Sequence, residues 1–407
     1  MEDGSGDRMF DTRGWVRLAR GEEERLRSGH LWVYSNEIAE MEGDFADGDL
    51  VWVKDEAGHK LGTGLANRSS KIVVRLLTRG GTSPFSADIF RERVGAAIAR
   101  RRHIAADARR LVNSEGDLLP GLVVDQYRDV AVIQTQVAGW EARRDFVVEA
   151  VGGAMAAAGL PRPRAVILKN DSVSRKAEGL EAYAEVAAGE LDGPQVITEE
   201  GLDLEVDILW GHKTGFYIDQ RDNRRLVAPF AAGRRVLDAF CYTGAWSLMC
   251  ARWGAREVLG LDSSGSTVEA ARRNAARNAL ADRAAFAEAD VFDELPRLAG
   301  AREKFDLVIL DPPSLARTRR ALAGAHRGYV HLNRMALGLL SAGGILATCS
   351  CSHHVSADGF VEMLRQAAAL ARKQVTILRT GGQPEDHPAL LGLPETSYLK
   401  CVVLGVL

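Results

Sequence analysis

The chain has 407 residues, 46% hydrophobic and 26% charged, with a formal net charge of -3. That length calls for two or three domains, and the balanced charge leaves any polyanion recognition to local patches. Five sparse cysteines, an odd number, argue against a disulfide framework and fit reduced thiols in a cytoplasm, and no stretch reads as a signal-peptide core or a membrane span.

Residues 1–12, rich in Gly, Asp and Ser, read as a disordered start. Residues 13–90 read as short strands punctuated by glycine turns, among them Asp49–Val53 and Lys71–Leu77, a pattern that predicts a small β-barrel. Residues 91–192 begin with a basic helix: Arg91–Arg110 holds seven arginines against Glu92 and Asp107. A strand-strand-helix-strand-strand pattern follows, an α+β unit with its helix over Arg144–Ala158. From 193 to 407 strands alternate with helices. Strands are expected at Arg235–Phe240, Glu257–Asp262, Ala284–Ala289, Phe305–Asp311 and Gly344–Cys349, in a parallel sheet covered on both faces. The fold class is therefore α/β at the C-terminal end.

The first of these strands runs through Asp238 into Phe240-Cys241-Tyr242-Thr243-Gly244, and a helix begins there. Such a turn lies at the carboxyl end of a parallel strand, where ligands bind. Gly244 permits close backbone approach, and Asp238 is placed to organise the loop or to meet an ammonium group. The second strand ends in Asp262, suited to two ribose hydroxyls. The third ends in Asp290-Val291, an acid for an adenine amino group and an apolar wall for its ring. The loop lacks the full glycine fingerprint that a pyrophosphate requires. S-adenosyl-L-methionine, which has no phosphate, is thus the expected cofactor rather than a dinucleotide. No metal site is expected, because Cys349-Ser350-Cys351 has no second pair to complete one.

The fourth strand delivers Asp311-Pro312-Pro313-Ser314, which resembles the fourth motif of Rossmann methyltransferases acting on base nitrogens or pyrimidine carbons. One strand later, Thr348-Cys349-Ser350-Cys351 resembles the sixth motif of RNA pyrimidine-5 methyltransferases, where a cysteine is the nucleophile. A thiolate adding at carbon 6 makes carbon 5 of the ring enamine-like and able to attack a methyl group. Motif alignment picks Cys349, with Cys351 its rival, and Asp311 as the carboxylate that supports developing charge. Ser314 stands where many such enzymes carry a second cysteine.

Nearly the whole chain resembles the bacterial RlmI-type large-subunit (23S) ribosomal RNA cytosine-5 methyltransferases. The resemblance rests on Gly29–Ile38, Gly62–Asn67, Asn170-Asp171, Arg175–Gly179, Arg327-Gly328-Tyr329 and Pro394–Lys400. Its most specific run is Lys213–Arg224. It implies a PUA-like N-terminal domain, an α+β connecting domain and a Rossmann-like class I methyltransferase domain. It also implies that Lys213–Arg224 closes over the cofactor, Phe216 packing on it and Arg221 pairing with its carboxylate. The implied cofactor set further takes in Gln220, Phe240, Thr243, Ser263, Asp311 and Pro312. The implied activity is formation of 5-methylcytosine in 23S rRNA in the cytoplasm, with ribosomal RNA as partner, no membrane, and room for a homodimer.

Two basic stretches fit an RNA substrate: Arg91–Arg110, and Leu315–Met335 with five arginines, two histidines and no acid. A paired target base would have to be flipped out of its stack. The competing readings are methylation of a purine nitrogen, which the Asp-Pro-Pro-Ser motif permits, and a noncatalytic RNA-binding or assembly factor that keeps the cofactor pocket.

Overall fold

A computed structural model describes residues 8–81, 83–316 and 319–407, the side chain of Arg319 excepted. The chain forms two compact units. One comprises Met1–Gln195, Val206–Phe216 and Glu385–Thr396; the other comprises Val196–Glu205, Tyr217–Pro384 and Ser397–Leu407.

The first unit holds two sheets. β1 (Thr12–Leu18), β2 (Trp32–Tyr34), β3 (Ile38–Gly43), β4 (Leu50–Lys54), β5 (Lys60–Ala66) and β6 (Ile72–Leu76) lie in the order β2-β6-β5-β4-β1-β3. Alternate residues such as Val16, Leu18, Val51, Val53 and Val74 form their core, as a period of two requires. β7 (Ala108–Asn113), β8 (Leu122–Tyr127), β9 (Val130–Thr135), β10 (Ala165–Asn170) and β11 (Tyr183–Gly189) form the second sheet, in reverse chain order. Helices α1 (Ala87–Arg100) and α2 (Arg144–Ala157) share its core.

Two expectations need correction here. Residues 1–7 lie outside the described residues, but the expected disorder does not extend through residues 8–12. Phe10 is buried, edge-on to the rings of Phe85 and Phe146, and Thr12 opens β1. The basic helix ends at Arg100, and Arg109 and Arg110 lie in β7. Arg101 is 2% exposed and paired with Asp117, Arg109 is buried against Gln126, and Arg110 pairs with Asp125. About half of that positive charge is spent inside the fold rather than offered to a polyanion.

The second unit opens with a hairpin, β12 (Gln195–Glu199) and β13 (Leu202–Val206). Its main sheet has seven strands: β14 (Arg235–Ala239), β15 (Glu257–Asp262), β16 (Ala284–Glu288), β17 (Phe305–Leu310), β18 (Leu340–Ser350), β19 (Val375–Gly382) and β20 (Lys400–Val406). Their order is β16-β15-β14-β17-β18-β20-β19, with β20 antiparallel to both neighbours. Central strands buried on both faces read as unbroken apolar runs, as in Leu307-Val308-Ile309-Leu310. Helices α3 (Arg221–Val227), α4 (Ala245–Arg252), α5 (Gly265–Arg277), α6 (Val291–Gly300), α7 (Leu322–Leu339) and α8 (Ala357–Ala371) complete the unit. Strand order reverses between β14 and β17, and the carboxyl ends of β14–β18 open at that switch point, where α/β sheets bind ligands. No helix is long and apolar enough to cross a membrane among the described residues.

Candidate active site

The loop after β14 is strained. Phe240 and Tyr242 hold φ of 70° and 49°, the left-handed region that side chains disfavour, and Gly244 follows at 85°. A Cβ on Gly244 would also stand 3.0 Å from the Phe286 ring. The loop is tied to β15 by Cys241 N–H donating to Leu261 O at 2.9 Å and Tyr242 N–H donating to Asp262 Oδ2 at 2.9 Å.

Asp238 lies beneath it, fully buried. Its Oδ2 accepts from Ser247 Oγ at 2.6 Å, whereas Oδ1 has no partner. Burial pushes the carboxyl up to about 7. Thr243 Oγ1 is likewise buried and unsatisfied. Buried polar atoms are almost always paired, so two orphans at one strand end fit a bound polar group that supplies a donor.

Asp262 does organise the loop: Oδ1 accepts from Ser264 N–H at 3.0 Å and Thr267 Oγ at 3.2 Å, besides the Tyr242 bond. A carboxylate has about four acceptor sites, so capacity for a ribose remains. Ser263 beside it is exposed. Asp290 caps α6 through Phe292 N–H at 2.8 Å. Val291 departs from expectation. At 2% exposure it packs in the sheet core and offers no wall to an adenine. Phe292 next to it is 39% exposed, its ring edge-on to Phe240 at 6.3 Å.

Asp311 stands at the end of β17. Gln220 Nε2 donates to its Oδ1 at 2.9 Å and Trp246 Nε1 to its Oδ2 at 3.1 Å, while Asn223 Nδ2 holds Gln220 Oε1 at 2.6 Å. The Lys213–Arg224 motif thus orients Asp311 through Gln220, a relay the sequence did not show. Arg221 is buried and pairs with Asp222 at 3.3 Å. Arg224 forms a bidentate pair with Glu199 at 2.6 and 2.7 Å. Phe216 belongs to the first unit, buried, with its N–H donating to the Tyr127 hydroxyl at 3.2 Å.

The two cysteines separate sharply. Cys349 lies within β18, opposite Cys401 in register and 0% exposed. Its hydrogen bond with Cys401, then burial, raises the thiol well above its ordinary value. Cys351 lies just past the strand's end, half-buried, with Sγ 4.0 Å from Pro312 O. Ser352 Oγ gathers Ser314 Oγ at 3.1 Å, Tyr329 OH at 3.0 Å and Ala316 N–H at 3.3 Å, locking the Asp-Pro-Pro-Ser turn to this exit. Cys349 is thus sealed within the sheet, whereas the strand ends one residue before Cys351.

Of the second basic stretch, Arg317 and the side chain of Arg319 lie outside the described residues. On α7, Arg327, His331 and Arg334 are exposed and line a shallow groove with His326 and Gln366.

A fold of this order, with acids at three successive strand ends, is that of a Rossmann-like methyltransferase. A model for S-adenosylmethionine-dependent methyltransferases matches residues 167–389, and one for PUA-like domains matches residues 16–79. Ribosomal RNA large subunit methyltransferase I of Shewanella frigidimarina is 39% identical, the alignment covering 96% of this chain and 99% of that one. The same-named protein of Photobacterium profundum is 37% identical over 95% and 97%. The chain belongs to this methyltransferase family, and S-adenosylmethionine is its cofactor. Two solved structures share the fold across 96% of this chain and 100% of theirs. One, from Streptococcus mutans and described as a SAM-dependent methyltransferase, has 22% identity and a TM-score of 0.83. The other, described as a methyltransferase complexed with SAH, has 23% identity and a TM-score of 0.84.

Proposed function

We propose that this protein forms 5-methylcytosine in large-subunit ribosomal RNA, in the cytoplasm, with Cys351 as the nucleophile. The observation that carries the choice of sulfur is Cys351 Sγ at the β18 exit, 4.0 Å from Pro312 O, against a fully buried Cys349. In this reading residues 13–90 hold RNA, 91–192 connect, and 193–407 carry the chemistry. Asp238 Oδ1 receives the ammonium of the methyl donor, Asp262 its ribose, and Asp290 with Phe292 its adenine. S-adenosylmethionine supplies an electrophilic methyl group when bound. The Cys351 thiolate adds its electron pair to carbon 6 of the cytosine, and carbon 5 then takes the methyl group. Loss of the carbon-5 proton to a base reforms the double bond and expels the thiolate. Asp311, oriented by Gln220 and Trp246, sits at the turn that faces the base and holds its edge.

RNA carrying 5-fluorocytosine at the target tests this, because fluorine cannot leave as a proton does. In the presence of methyl donor the wild type and Cys349→Ala should form an adduct stable to denaturing electrophoresis, and Cys351→Ala should form none. An adduct mapped to Cys349, or methylation by Cys351→Ala, would overturn the assignment. Methylation by the double variant would favour a purine nitrogen as the target.

A further inference from the structure

We infer that Lys400 is a positioning residue whose ammonium, held at the β18–β20 exit by two backbone carbonyls, favours the thiolate form of Cys351. The inference rests on the reading of Cys351 as the nucleophile.

Lys400 opens β20 and stands opposite Ser350 in register, one residue before Cys351. It is 7% exposed. Its Nζ donates to Ser352 O and Tyr398 O, both at 2.8 Å. An ammonium has three donors, so two carbonyls leave one unused. No carboxylate pairs with it among the described residues, whereas the buried Arg224 and Arg221 of the same unit pair with Glu199 and Asp222. A buried charge without a counter-ion is costly, and burial drops the Lys400 ammonium to about 8, an effect that the charge of Cys351 opposes. An anion that appears only when a thiol ionises is the partner this arrangement accommodates.

Other groups also lie near Cys351. Tyr217 and Tyr329 interact electrostatically with it, but burial raises both phenols, which keeps them neutral. Asp311, next to Pro312, is negative and opposes a thiolate. His353 stacks on the Tyr398 ring, with centroids 5.2 Å apart. Lys400 is a cation that interacts with Cys351 and opposes the influence of Asp311. When Cys351 ionises, its proton passes to solvent and Lys400 keeps its own three; no electrons are transferred.

The test is the pH profile of Cys351 alkylation by iodoacetamide in the full chain, read by peptide mapping, with neither RNA nor methyl donor present. The wild-type midpoint should fall below the ~8.5 of a free thiol. Lys400→Met should move it up by about one unit or more, slowing alkylation at pH 7 about tenfold. Lys400→Arg should restore most of the shift, because guanidinium keeps its charge. A wild-type midpoint at or above ~8.5 would overturn the inference, as would an unmoved midpoint in folded Lys400→Met. Should Lys400→Met fail to fold, the wild-type midpoint and Lys400→Arg still decide. The fluorocytosine adduct reports separately on which sulfur attacks, so the two readings fail independently.

Discussion

Asp238→Asn should stabilise the ligand-free protein at alkaline pH while weakening its grip on the methyl donor. The wild-type carboxyl is pushed from 3.8 to about 7 by burial. A shift of roughly three units amounts to about 4 kcal/mol once the group is ionised. Between pH 3.8 and about 7 the folded chain keeps a proton that the unfolded chain has released. Stability from this group is therefore full below pH 3.8, falls as pH rises to about 7, and levels beyond. From pH 5 to pH 8 the loss is about 3 kcal/mol. Asparagine does not titrate. Its own cost, an amide only half satisfied by Ser247, is the same at both pH values and cancels. The difference in unfolding free energy between variant and wild type should thus swing by about 3 kcal/mol in favour of the variant between pH 5 and pH 8. Chemical denaturation of both proteins at both pH values measures it. Calorimetry with S-adenosylhomocysteine should show the opposite order, about 10- to 100-fold weaker binding by the variant, since a charge-assisted bond is lost. A swing near zero, or of opposite sign, would refute the account of Asp238 as a desolvated carboxylate awaiting a donor.

Arg327→Glu with Arg334→Glu should weaken binding of an RNA fragment and reduce the slope of log affinity against log salt by about one for each phosphate no longer neutralised, with donor binding unchanged; an unchanged slope would remove the α7 groove from the RNA path. Glu199→Ala should cost about 3–5 kcal/mol by stranding Arg224, read by denaturation, because both members of that pair are buried.

The sequence displayed β14 to β18 because most are buried strands with a parallel neighbour, apolar runs closed by an acid or a turn. It did not display β19, half of whose residues face solvent, or β20, whose entry is the polar Lys400. Charge counting failed over Arg91–Arg110 for a physical reason. A guanidinium spent on Asp117 or Asp125 looks identical in sequence to one facing water. Val291 failed similarly: position beside an acid does not say which way a side chain points at the start of a helix. The choice between Cys349 and Cys351 turned on where β18 stops, and strand ends are the least legible feature of a pattern built on period two. Motif spacing pointed to one strand exit; only burial separated the two sulfurs there.

Several features of this edge of the sheet share one property: they are locally unfavourable. Phe240 and Tyr242 hold left-handed backbone, and among the described residues Asp238 Oδ1 and Thr243 Oγ1 are buried without partners and Lys400 is a buried cation without a carboxylate. Elsewhere in the same unit, buried charge is matched, as Arg224 is by Glu199. Consistency between local preference and fold is the rule, and departures persist where surrounding structure enforces them. These departures gather at the carboxyl ends of β14 and β18 and the neighbouring entry of β20, on either side of Asp311. In the proposed reading each would gain a partner from a reactant: a donor for Asp238 and Thr243, an anion for Lys400. On that reading the strain at this edge marks the site, and binding of the reactants recovers the stability given up there.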